Sequence, residues 1–133
     1  MPETRISWAE FCRVVRQTVA ALPQQFQERL TNVVVEAVEA PTAKDLAHAV
    51  PGKSADSLLL GLFVGVPLTE QHYNDPQQNT IRIFRRPLQQ ISRNRRALIE
   101  NIRATVIHEL AHHFGFSEDD LAAFEAAQEK WLD

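Results

Sequence analysis

Apolar residues recur at helical spacing near the start of the chain. Trp8, Phe11, Val15, Val19 and Leu22 share one face, Ser7 stands where an N-cap belongs, and Pro23 falls near the end, which predicts a first helix. Gln24 to Leu30 is short and polar and predicts one helical turn. Asn32 to Ala40 (NVVVEAVEA) is rich in valine and stops at Pro41, the pattern of a largely buried strand. Residues 41–57 hold Pro41, Pro51, Gly52, Lys53, Ser54 and Asp56 and predict a loop with a short helix around Lys44–Ala49. Leu58 to Val64 predicts a second strand, broken by Gly65 and Pro67, and Gln71 to Asn79 a polar turn region. Thr80 to Arg85 (TIRIFR) alternates as a third strand, with Pro87 forbidding continued pairing.

The most regular element comes last. A long helix starts near Asn94 and runs to Phe114, where Gly115 supplies the left-handed residue that ends such helices. Ser117-Glu118-Asp119-Asp120 has the form of a capping box for a final helix, with Leu121, Phe124 and Trp131 facing inward. No repeat, low-complexity segment or internal linker interrupts these elements, and 133 residues suit a single domain over 1–133.

The long helix carries the candidate chemistry. His108-Glu109-Leu110-Ala111-His112 places two imidazoles one turn apart, so both can reach one metal ion. At about 100° per residue, Thr105, His108, Glu109 and His112 fall in one polar sector of a helix otherwise lined by Ala104, Val106, Ile107, Leu110, Ala111 and Phe114. Polar groups buried there without partners would cost several kcal/mol, so the sector must open onto a cleft or bind something. The competing reading is a pair of core histidines bonded to backbone. Two histidines with a glutamate between them favour the metal, with His108 and His112 as ligands and Glu109 acting on a metal-activated water.

A hydrolytic zinc site takes a third protein ligand. After His112 the chain reads His113-Phe114-Gly115-Phe116-Ser117-Glu118, similar to the extended zincin pattern HExxHxxGxxH with glutamate in the last place. A reversal at Gly115 would swing that side chain back toward the metal, making Glu118 the leading third ligand and Asp119 the next. The alternative is that all three acidic residues stabilise the start of the last helix. Glu125 and Glu129 lie too close to the motif. His113 points about 100° away from His112, a supporting or surface position, and His48 and His72 sit in loop-like sequence. With Met1 the only methionine, there is no methionine turn.

Composition narrows the setting. A net charge of −3 argues against a general nucleic-acid binder, and the seven arginines between Arg82 and Arg103 are scattered over strand, loop and helix. One cysteine, Cys12, excludes an internal disulfide framework and suits a reducing compartment. The first residues lack a continuous hydrophobic stretch, and the most apolar run, Leu58 to Leu68, is about half of a bilayer span. The expectation is a cytoplasmic protein without membrane association.

Three segments together resemble the small bacterial zincin-like metallopeptidases. They are Gly61-Leu62-Phe63-Val64-Gly65-Val66-Pro67-Leu68-Thr69-Glu70, Ile81-Arg82-Ile83-Phe84-Arg85-Arg86-Pro87-Leu88, and Thr105 to Phe116 (TVIHELAHHFGF). With the first helix and the NVVVEAVE strand the likeness covers most of the chain. It implies an α+β minimal zincin-like fold, a short mixed sheet packed on the HExxH helix, with helices at both ends. It also implies His108 and His112 as ligands of one Zn2+ ion, Glu109 as general base and an acidic residue at position 118 as third ligand.

The function expected is a zinc metallopeptidase acting on peptides or proteins. Thr80–Arg85 is the expected edge strand against which a substrate would lie, with Arg82, Arg85 and Arg86 favouring acidic substrates or, alternatively, deterring aggregation. No dedicated oxyanion donor is evident; Tyr73, the only tyrosine, and His72 are the candidates. The alternative is a non-catalytic zincin-like domain serving as a partner-binding module, because a chain this short lacks a second lobe to wall a cleft.

Overall fold

The computed structural model describes residues 4–49, 59–65 and 79–132, with side chains as far as residue 126. The expected loop at 50–57, Leu58, the polar turn with His72 and Tyr73, and the Trp131 side chain lie outside the described residues, while Leu59 and Leu60, expected in the second strand, precede it.

Helix α1 (Trp8–Ala20) starts where expected, with the Ser7 side chain accepting from the Glu10 N–H at 3.1 Å. Two short turns follow, α2 (Gln24–Gln27) and a 3-10 turn at Glu28–Leu30, which carry Phe26 and Leu30 into the core. Strand β1 (Val33–Val38) leads to α3 (Ala43–Ala49). Next come β2 (Gly61–Val64) and β3 (Asn79–Phe84). Helix α4 (Arg85–Ile91) has no counterpart in the sequence expectations. Pro87 does end the pairing, but it sits in the first helical turn, where a missing N–H leaves nothing unsatisfied. Helices α5 (Arg95–Phe114) and α6 (Glu118–Leu132) complete the described chain. The Asn94 side chain caps α5 through the Ala97 N–H at 2.8 Å. Gly115 ends it with a φ of 70°, a backbone conformation open mainly to glycine.

The sheet order is β1-β3-β2, with β1 parallel and β2 antiparallel to β3. Two expectations change here. Thr80–Arg85 is not an edge: β3 is the central strand, hydrogen-bonded on both sides, and the free edges among the described residues belong to β1 and β2. Nor is the valine-rich strand largely buried. As an edge strand β1 is half-covered throughout, and Val34 is exposed.

The pleat divides the sheet into two faces. Ile81 and Ile83 turn toward α5 and are fully buried with Leu98, Ile102, Val106 and Leu110, while Phe11, Val14 and Val15 of α1 join the same core. Each such side chain contributes about 1.5–3 kcal/mol on leaving water. On the opposite face Arg82 lies beside Glu36 in register and reaches both its carboxylate, at 2.6 Å, and that of Asp45 in α3, at 3.1 Å. Burial works to raise the Asp45 carboxyl, but the Thr42 N–H and hydroxyl and the Arg82 charge outweigh it, holding the group below its ordinary value. The result is an α+β fold with a small mixed sheet lying on α5. Among the described residues no helix is long and apolar enough to cross a membrane.

Candidate metal centre

The last turns of α5 present the polar sector read from the sequence, and the structure divides it. Thr105 and Glu109 lie under β2. A Cβ added to Gly61 would stand 2.9 Å from Thr105 Cγ2, 3.3 Å from Glu109 Cγ and 3.4 Å from Ile83 Cδ1. Only glycine permits strand and helix to approach so closely at this point. His108 and His112 turn instead to an open hollow that they line with Glu109, Ala111, Phe116 and Leu121. Both histidines are exposed. Neither forms a hydrogen bond or ion pair with another described residue, so their ring nitrogens are not committed to backbone as core histidines would be.

Among the described residues Glu109 has one charge partner. His113 Nε2 stands 3.3 Å from Glu109 Oε2. The His113 ring is stacked on Phe63 of β2, with centroids 4.2 Å apart and planes 15° from parallel. Burial holds the His113 imidazole below its ordinary value, with the Glu109 charge pulling the other way and the adjacent His112 adding to the depression. His113 Nε2 is thus within reach of the Glu109 carboxylate while its ring is held by Phe63. The sequence reading put His113 in a supporting or surface position. Its clamp on Glu109 depends on Phe63, whose approach to α5 is a tertiary fact.

Beyond Gly115 the chain is pinned by Arg29 and Phe26, which carried no signal of this in the sequence, together with the expected Phe124 and capping box. Arg29 Nη2 donates to the Phe114 carbonyl at 3.1 Å, satisfying one of the carbonyls left open at the end of α5, and its guanidinium lies 4.6 Å from the Phe116 ring centroid. Phe116 packs edge-on against Phe26 and Phe124, with centroids 5.5 and 5.1 Å away. The capping box forms as expected: the Ser117 N–H donates to Asp120 Oδ2 at 2.8 Å, and the Asp120 N–H to Ser117 Oγ at 3.1 Å. Glu118 is the first residue of α6 and is exposed, as is Asp119; neither lines the hollow. Among the described residues no group of three or more His, Cys, Asp or Glu side chains converges closely enough to hold an ion. The two imidazoles fit a metal by donor chemistry and spacing; the third donor is not drawn up to them.

The three arginines expected to select acidic substrates do not reach this hollow. Arg82 is on the sheet face away from α5, held by Glu36 and Asp45. Arg85 grips Glu39 with Nε at 2.7 Å and Nη2 at 2.5 Å, and Arg86 stands 3.7 Å from the same carboxylate. Their partners lie at the other end of the molecule, which leaves no cation of this strand facing the histidines.

A small mixed sheet resting on a helix that bears paired histidines around a glutamate is an arrangement used by metal-dependent peptidases. The chain belongs to the zincin-like metallopeptidase family, whose family model matches residues 30–128. That span runs from the turn before β1 into α6 and contains every candidate site residue named above. No curated protein sequence matches the chain.

Proposed function

We propose that the protein is a zinc-dependent peptidase in which His108, His112 and Glu118 hold one zinc ion and Glu109 is the general base. The observation that supports this best is that His108, Glu109 and His112 line one open hollow, with neither imidazole hydrogen-bonded or ion-paired to another described residue. When bound, zinc supplies Lewis acidity, acidifying water and polarising a carbonyl. Glu109 takes a proton from the attacking water on its carboxylate and returns it to the leaving amine. His113 Nε2 stands within reach of that carboxylate. Phe116 and Leu121 give the hollow an apolar wall.

The substrate platform passes from β3 to β2. Among the described residues the outer edge of β2 is unpaired and Gly61 of the same strand lies against Glu109, so an extended peptide can add to that edge through backbone hydrogen bonds. Glu118 stands apart from the histidines, so its ligation requires the start of α6 to move toward them as the ion binds.

Glu109→Gln should abolish hydrolysis while leaving zinc binding intact, measured by turnover of a peptide library and by calorimetry; turnover in that variant would refute the mechanism. Glu118→Gln should weaken zinc binding, whereas Asp119→Asn should not. The separation of Glu118 from the histidines supports a second reading, a zincin-like domain that binds partners without catalysis. Zinc below one equivalent in protein purified without added metal, together with no cleavage in the library, would select it.

A further inference from the structure

At the opposite end of α5 a second hollow of about 530 Å³ is lined by Arg5, Arg85, Arg86 and Arg95, with Glu39 and Gln89 among them. The charges do not cancel. Glu39 is shared by Arg85 and Arg86, and Glu10 by Arg13 and Arg95, while Arg5 has no carboxylate partner among the described residues. Setting Arg85 aside with Glu39, the described lining still carries Arg5, Arg86 and Arg95 and no second carboxylate, in a chain whose net charge is −3. Arg86 and Arg95 remain more than half exposed even though they are paired. The floor adds a neutral donor. Gln89 is 6% exposed, and its Oε1 accepts the Ile6 N–H at 2.9 Å, so its amide nitrogen is the group left to face the hollow, with no acceptor among the described residues.

A hollow furnished with surplus guanidinium groups and a buried amide donor suits an oxyanion. The carboxylate is the better match, because Glu39 already shows the geometry: Arg85 holds it with two parallel N–H bonds, the fork that arginine offers to carboxylates. The volume exceeds what a single small anion fills, and the Glu39 charge weighs against a compact dianion. The geometry points to a docking site for an acidic, Asp/Glu-rich segment of a polypeptide, held by Arg5, Arg86 and Arg95 over Gln89. The thirteen helical steps from Arg95 to His108 span about 20 Å. A docked segment therefore needs at least about six extended residues to reach the histidines. The docking itself is independent of catalysis; its use as a substrate anchor rests on the peptidase reading.

The test is fluorescence anisotropy with the full chain in the presence of a chelator, using a labelled Glu-rich decapeptide and an uncharged decapeptide of equal length. Only the acidic peptide should bind, and more weakly as salt is raised. Arg86→Glu and Arg5→Glu should each weaken it by about tenfold at an unchanged thermal midpoint. Arg16→Glu, the same charge change at an exposed arginine outside the hollow, should have little effect. No binding of the acidic peptide, equal loss in the Arg16 variant, or displacement by inorganic phosphate at lower concentration than by unlabelled peptide would each overturn the assignment. Binding with the expected pattern but no cleavage of any acidic peptide in zinc would uphold the docking site and count against the peptidase reading.

Discussion

Gly61 controls the approach of strand to catalytic helix. Its Cα faces Thr105 and the aliphatic part of Glu109, and a methyl group there would meet Thr105 Cγ2 at 2.9 Å. Gly61→Ala should destabilise the fold by about 1–3 kcal/mol, as overpacking does. It should also move the Glu109 carboxylate relative to His108 and His112. Thermal unfolding checks the first effect. Turnover falling further than zinc affinity checks the second, since the glycine touches the proposed base and not the proposed ligands. His113 acts at the same scale, as the one described charge partner of Glu109, and its ring is held by Phe63.

Two contacts decide how elements are held together. Asp45 joins α3 to the sheet through Arg82, and it caps its own helix by accepting the Thr42 N–H at 2.9 Å. Its carboxyl lies below its ordinary 3.8 in the folded chain. The stabilisation from this charge is therefore complete above that value and is lost as pH falls through the lower, folded one. Asp45→Asn should lower stability at pH 7 by on the order of 1–2 kcal/mol, and the gap from the parent should close only in acid below pH 3.8. Thermal midpoints across that range check the sign. Arg29 joins the 3-10 turn to the end of α5. Because its side chain also lies against Phe116, Arg29→Ala should cost on the order of 1 kcal/mol and loosen the link that carries Glu118. Weaker zinc binding without any change to His108 or His112 would be its signature in calorimetry.

At the scale of the molecule, α5 is the shared floor for everything else: the sheet and α1 pack along it, the arginine hollow lies at its start and the histidines at its end. A ligand that binds only the folded chain stabilises all of these contacts together. Zinc at a hundred times its Kd should add about 2.7 kcal/mol, seen as a rise of several degrees in the thermal midpoint. Replacing both His108 and His112 with alanine should remove the rise, and a chelator should reverse it in the parent protein. A rise that survives the double substitution would place the ion elsewhere.

What the sequence determined by itself was local. The α1 and α5 periods, the Ser7 cap, the helix start near Asn94, the left-handed stop at Gly115 and the Ser117–Asp120 box depend on residues within a few positions of one another, and these appear as expected. The same locality makes His108, Glu109 and His112 share a helix surface. Tertiary structure alone decided what lies opposite them. Alternation in TIRIFR marks a strand but carries no record of its neighbours, so β3 emerges at the centre of the sheet and the edge beside Glu109 goes to β2. Valines in β1 report β propensity, not depth, and an edge position leaves them half-covered. Arg29, Phe63 and His113 come together around the site from separate elements, and Arg5 meets Arg86 across 81 residues of chain. Such pairings are set by the packing of whole faces, which no short window of sequence contains.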